Sequence, residues 1–183
     1  MTIYKGKIKG DLTLLKGDDA AAVTSIGGSL DVSEGATCDL PAVTSIGGSL
    51  DVSEGATCDL PAVTSIGGYL YVSEGATCDL PAVTSIGGYP VPEPAIAQAR
   101  LRAIADRVVN DPAALDMGEW HCGTQHCIAG WAVHLEPGGY DLEKKVGSTL
   151  QAGNILLGPD ASKFFFAEKS KALAMLADAQ AAK

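Results

Sequence analysis

Residues 22–41 read AVTSIGGSLDVSEGATCDLP, and residues 42–61 repeat that stretch without a single change. A third copy, 62–81, differs only at Tyr69 and Tyr71, and a fourth starts at Ala82 and breaks off at Pro90. A fixed period of twenty, with no apolar pattern of helical length, predicts a solenoid in which each repeat makes one turn. Paired glycines at Gly27 and Gly28, a further glycine at Gly35 and a proline at Pro41 argue against helix. Within the copy, GSLDVS alternates polar and apolar residues, so Leu30 and Val32 face one side of a strand and Ser29 and Asp31 the other. Val23, Ile26 and Leu40 complete an inward ring of aliphatic side chains. Stacked about 4.8 Å apart, such rings merge into one continuous column, and every residue of the coil becomes a ladder.

An earlier, degenerate coil is legible in IKGDLTLLKGDD, where Ile8, Leu12 and Leu14 align with Ile26, Leu30 and Val32. Ahead of it stand Lys5, Lys7 and Lys9, on what would be the bare edge of the first coil. Lysines there discourage strand pairing; the competing reading is that this edge joins another copy into a homo-oligomer or filament.

The spacing LPAVTSIGGYLYV, Leu60 to Val72, resembles the receptor L-domain, a right-handed parallel β-helix of leucine-rich-repeat character. The resemblance covers roughly residues 8–92 and rests on the pattern L-x-x-V-x-x-I-G-G-x-L-x-V. It implies that fold and a surface that binds proteins. The ligand class of the receptors does not carry over, because the cysteine-rich modules that accompany the domain there are missing here.

The chain has 183 residues, 46% hydrophobic, enough for one ordinary domain or two small ones. The expected division is 1–93, a β-solenoid of four to five coils, and 94–183, a small helical domain that caps it. Net charge is -9, unevenly placed: residues 1–93 hold four lysines against twelve acids, and no Lys or Arg occurs from Gly17 to Glu93. Such a surface repels phosphate, which speaks against direct nucleic-acid binding by the repeats and for a basic protein partner. No run reaches the about 18 apolar residues of a membrane span, and the first residues lack the apolar core of a secretory signal. Five cysteines, an odd number, fit a reducing compartment, so the expected location is cytoplasmic.

Among the ladders, Cys38, Cys58 and Cys78 read as small buried thiols, with a column of soft metal ligands as the alternative. Glu34, Glu54 and Glu74 form like-charge columns, as do Asp39, Asp59 and Asp79, but the glycine-rich calcium loop of β-rolls is absent. The departures from identity are more informative. Outward-facing Ser29 and Asp31 recur as Ser49 and Asp51, then become Tyr69 and Tyr71, and the fourth copy offers Tyr89. Asp31, Asp51, Tyr69, Tyr71 and Tyr89 are therefore the candidate partner-binding residues, unless the tyrosines pack against the following domain.

After YPVPEP, where Pro90, Pro92 and Pro94 remove ladder donors, Ala97, Leu101, Ile104 and Val108 fall on one face of a helix ending near Asn110. Asp111 and Pro112 look like an N-cap and first turn, and further helices are expected over 124–135, 142–157 and 169 to the C-terminus. All three histidines and two cysteines crowd into DMGEWHCGTQHCIAGWAVH, Asp116 to His134. One reading is a zinc site using Cys122, Cys127 and one of His121, His126 or His134, with His126 the foremost. A second makes Cys122 a nucleophile at the N-terminus of the helix from Thr124, with His126 as base. A third is structural, a core of Trp120, Cys127, Ile128, Trp131 and Val133. The segment also resembles a small domain with a CGTxHCxAGWA motif found in uncharacterised phage and bacterial proteins. That resemblance brings no activity with it and implies a phage or bacterial accessory protein.

Identical coils present the same side chains repeatedly, which suits an extended recognition surface better than a catalytic site, where different residues converge. The chain is therefore expected to be a non-enzymatic binding or scaffold protein, with the metal or cysteine chemistry and the self-assembling solenoid as alternatives.

Overall fold

The computed structural model describes residues 1–122 and 125–181, and at Cys122 the backbone alone. Two compact units result, Met1–Pro90 and Val91–Lys183.

Unit 1 contains β1 (Ile3–Ile8), β2 (Leu12–Leu14), β3 (Asp19–Ile26), β4 (Leu30–Val32), β5 (Thr37–Asp39), β6 (Ser45–Ile46), β7 (Leu50–Val52), β8 (Thr57–Asp59), β9 (Ser65–Ile66), β10 (Leu70–Val72), β11 (Thr77–Asp79), β12 (Ser85–Ile86) and β13 (Tyr89–Pro90). They form three sheets, ordered β1-β3-β6-β9-β12-β13, β2-β4-β7-β10 and β5-β8-β11. Each full repeat contributes one strand to each sheet, and the result is a parallel β-solenoid of about four coils. Pairing follows the twenty-residue period: Leu30 sits opposite Leu50, Leu50 opposite Leu70, and Cys38 opposite Cys58. The expected first coil is present, with Ile8 opposite Ile26, Leu12 opposite Leu30 and Leu14 opposite Val32.

Alternation decides which side chains turn inward. Val23, Ile26, Leu30, Val32 and Leu40 are all buried, as are their equivalents one coil on. Ala36 and Cys38, with Ala56 and Cys58 one coil on, fill the remaining interior positions. Coil-to-coil approach is closest at the glycine pair, where a Cβ on Gly47 would fall on the carbonyl oxygen of Gly27. Here glycine is required by proximity, since Gly47 is not among the residues of positive φ.

A second ladder runs along the turns. Asp11 Oδ1 accepts from the Ser29 N–H at 2.7 Å, Ser29 Oγ from the Ser49 N–H at 3.0 Å, and Ser49 Oγ from the Tyr69 N–H at 3.0 Å. Ser29 and Ser49 thus hold the next coil by its backbone, a role that simple alternation does not reveal. The first coil is closed by Asp18, whose carboxylate accepts from the Thr2 N–H at 2.6 Å and the Leu15 N–H at 3.2 Å.

The fourth copy departs from expectation. Gly87 and Gly88 have φ of 61° and 80°, the two left-handed residues of a tight hairpin turn. The chain therefore doubles back, β13 pairs antiparallel with β12, and Tyr89 lies opposite Ile86. Tyr89 leaves the column formed by Ser29, Ser49 and Tyr69, and Pro90 sits within the terminal strand instead of stopping the sheet before it.

Unit 2 contains α1 (Pro94–Val108), a 3-10 turn (Pro112–Ala114), β14 (His121–Cys122), β15 (Gln125–His126), α2 (Ile128–Leu135), α3 (Gly139–Val146), α4 (Thr149–Leu157), α5 (Pro159–Ser162) and α6 (Lys169–Ala181). Asp111 caps the 3-10 turn as expected, its carboxylate accepting from the Ala113 N–H at 3.2 Å. The helix expected over 142–157 is two helices. Gly147, at φ 77°, ends α3, and Ser148 opens α4 by accepting from the Gln151 N–H. The core gathers Ile104, Val108, Leu115, Ile128, Trp131, Leu156, Phe165 and Leu176. Arg100 staples its elements: Nε and Nη2 donate to the two oxygens of Glu136 at 2.8 and 2.6 Å, and Nη1 donates to the Leu156 carbonyl at 2.9 Å. No helix among the described residues is long and apolar enough to cross a membrane.

Candidate functional site

On the outer face of the second sheet, Thr13, Asp31, Asp51 and Tyr71 form one column, each directly opposite the next. Asp31 and Asp51 are exposed and Tyr71 half-buried. Asp51 is held above the ordinary carboxylate range, first by burial and then by the charge of Asp31. Tyr69, 45% exposed, stands at the top of the serine ladder two residues before Tyr71. The structure brings Asp31, Asp51 and Tyr71 together in one register and sets Tyr89 in the separate hairpin.

On the third sheet, Thr37, Thr57 and Thr77 and likewise Asp39, Asp59 and Asp79 stack outward, and the three cysteines stack inward. Cys38 and Cys58 are buried and Cys78 less so, and all three are free thiols. Hydrogen bonding to Cys38 and Cys78 pushes the Cys58 thiol far up, so it does not ionise near neutrality.

The histidine and cysteine cluster of unit 2 is built differently from the sequence expectation. The helix expected from Thr124 begins at Ile128, and ahead of it β14 and β15 pair antiparallel, with His121 opposite His126 and Cys122 opposite Gln125. Gly123 and Thr124 lie outside the described residues, as does the Cys122 side chain. The Cys122 backbone belongs to β14, ahead of the helix and not at its N-terminus. Cys127 occupies the cap position instead: its Sγ accepts from the Gly130 N–H at 3.3 Å. The residue is 1% exposed, and burial pushes its thiol up to about 11, far from a nucleophilic thiolate. Among the described residues no group of three or more His, Cys, Asp or Glu side chains is arranged to hold a metal ion.

Instead His121 and His126 form a hydrogen-bonded chain with Glu143, and His134 bonds separately to Tyr140, partners that the sequence did not single out. Glu143, from α3, lies 2.9 Å from His121 Nε2 and also accepts from the Thr149 hydroxyl. His121 Nδ1 lies 2.9 Å from His126 Nδ1. With Glu143 ionised and both rings neutral, one proton arrangement fits: His121 Nε2–H donates to Glu143, and His126 Nδ1–H donates to His121 Nδ1. His126 Nε2 is then a bare acceptor, enclosed and without a hydrogen bond to any described residue. Its ring stacks on His134 with centroids 4.8 Å apart and meets the edge of Trp131 at 4.7 Å. His134 Nδ1 reaches the Tyr140 hydroxyl at 3.0 Å. Chemically this network fixes ring orientation and ties the hairpin to α2 and α3.

Burial holds His126 below its ordinary value, helped by His134 and His121 and opposed by the Trp120 carbonyl. A histidine kept neutral in the fold but free to protonate when unfolded makes the unfolded chain bind more protons, so stability rises with pH through that window. Melting followed by circular dichroism from pH 8 to pH 5 is therefore expected to show unit 2 losing stability as the pH falls past the ordinary histidine value, about 6.5. The slope from this group is at most that of one proton, about 1.4 kcal/mol per pH unit. His126→Gln should flatten it; an equal slope in that variant would assign the effect elsewhere.

Comparison of the chain with protein-family models, with curated proteins and with solved structures finds no match in any of the three.

Proposed function

We propose that the chain is a non-enzymatic protein-binding module whose acidic solenoid face receives a basic partner protein. The observation that carries this reading is the direct opposition of Asp31 and Asp51 in a stretch, Gly17 to Glu93, that contains no Lys or Arg. Like charges one strand apart repel, and Asp51 registers that repulsion. A partner's Lys or Arg relieves it, and Tyr71, next in the column, adds an aromatic contact of the kind favoured at binding hot spots. Tyr69 extends that aromatic edge. The likeness of LPAVTSIGGYLYV to receptor L-domain repeats supports the same use of the surface, as does the rarity of catalytic sites on identical coils.

In a phage or bacterial setting, the fitting partner is a nucleic-acid-binding protein met inside the cell, with carboxylates standing where phosphates would. The test measures binding of several purified basic proteins over a range of salt, for the parent chain and for the pair Asp31→Asn with Asp51→Asn. The parent is expected to bind at least one with an affinity that falls steeply with salt, and the double variant to bind more weakly with a shallower salt slope. Equal binding by the two chains would remove the acidic column from the interface.

A further inference from the structure

Arg107 and Asp111 carry opposite charges and line the same cleft of unit 2, yet they form no ion pair with each other. The cleft encloses about 290 Å³ and is lined by Arg107, Asp111, Ala113, Ala114, Gln125 and Trp131. Each polar group is held in place by a contact that leaves it a free function. The Arg107 guanidinium rests over the Trp131 ring, 5.7 Å from its centroid, and makes no hydrogen bond or ion pair with any described residue. The Trp131 ring is itself fixed, its indole N–H donating to the Ala114 carbonyl at 3.0 Å. Asp111 is oriented by accepting from the Ala113 N–H, which uses one of its two oxygens. Gln125 donates through Nε2 to the Ala113 carbonyl at 2.8 Å, leaving its amide oxygen as an acceptor.

We propose that this cleft binds a small zwitterion, an amino acid or dipeptide with both termini free, its carboxylate on Arg107 and its ammonium on Asp111 and the Gln125 amide oxygen. Charge complementarity selects this class. A lone anion would meet Asp111, a lone cation would meet Arg107, and a neutral ligand would leave both charges unanswered, whereas a zwitterion pairs both. Size limits the ligand to a small one, since about 290 Å³ lies just below the usual range of small-molecule pockets, about 300–1,000 Å³. Preorganisation by Trp131 and Ala113 spares the side chains the ordering that binding otherwise demands. Because Arg107 and Asp111 are exposed, the pairs are screened, and affinity of about millimolar order is expected.

The test titrates the full chain with glycylglycine, with its N-acetyl form and with its C-terminal amide, following the Trp131 indole N–H by nuclear magnetic resonance. Glycylglycine should shift that signal saturably, and each blocked form should bind about tenfold more weakly or worse. The variants add a crossed control that does not depend on affinity alone. Asp111→Asn, which keeps the cap, should cease to distinguish the acetylated form, and Arg107→Gln should cease to distinguish the amide. Absence of a saturable shift, equal affinity for the three peptides, or unchanged discrimination in both variants would each overturn the proposal.

Discussion

Gly47→Val is expected to unfold the solenoid at temperatures where the parent chain is fully folded. The added side chain would start on the Gly27 carbonyl oxygen, part of the neighbouring coil's backbone, so relief cannot come from a rotamer change. It can come only from pushing the coils apart, which breaks the Gly47 N–H to Ile26 carbonyl bond and the Gly48 N–H to Gly28 carbonyl bond beside it. The expected loss is about 3 kcal/mol or more, above the usual penalty for overpacking because backbone, not side chain, must yield. Gly55→Ala is the matched control. Gly55 has φ 66° and open space around its Cα, so alanine there costs only the left-handed backbone penalty, about 1 kcal/mol. Melting curves should separate the two variants clearly; a Gly47→Val chain that melts like Gly55→Ala would mean that the coils are not stacked in this register.

Phe165→Ala should have the second-largest effect, about 3–5 kcal/mol, and it falls on unit 2. Phe165 is 1% exposed and is among the largest fully buried side chains in the molecule. It packs where a Cβ on Gly153 of α4 would touch both the Phe165 ring and Ala129 of α2, so helices and ring are already in close contact. Removing the ring leaves a void that these small residues cannot fill by shifting. Tryptophan fluorescence is the natural probe, because Trp120 and Trp131 both belong to unit 2 and Trp131 shares the core with Phe165. A change below about 1 kcal/mol would show that the core collapses around the site.

The solenoid was legible because its signals are local and repeated. Leu30, Val32 and their equivalents alternate visibly, and the period of twenty fixes which residues stack, so even the degenerate first coil could be aligned through Ile8, Leu12 and Leu14. The hairpin at Tyr89 was not, because Gly87 and Gly88 repeat a pair that elsewhere serves close approach. What differs is the absence of a further coil to approach, and no feature within the pair itself encodes that. Of the three readings of the histidine and cysteine segment, the structural one matches the core, where Cys127, Ile128, Trp131 and Val133 are buried and Trp120 packs against them; the local backbone was not legible. Its residues were read against a helix from Thr124, whereas the pairing of His121 with His126 depends on Glu143 and Thr149, contacts that no spacing along the chain announces. Cys127 belongs to the buried core, as the structural reading has it, and in addition caps α2, a role usually filled by Ser, Thr, Asp or Asn. The Arg107 cleft was not legible, since only Gln125 and Trp131 lie in the Asp116–His134 motif and the other members come from the end of α1 and the 3-10 turn.

The ladder of turn acceptors has a consequence for how far it can run. Asp11 starts it, Ser29 passes it to an identical Ser49, Ser49 passes it to Tyr69, and there the side chain is no longer a short acceptor. In the language of addition polymers these are an initiator, two propagating units and a terminator. The length of this ladder is then a property written into the chain at one position per repeat. Each further serine-bearing copy would lengthen the column by one strand spacing, about 4.8 Å, while presenting to its neighbours only surfaces the molecule already contains.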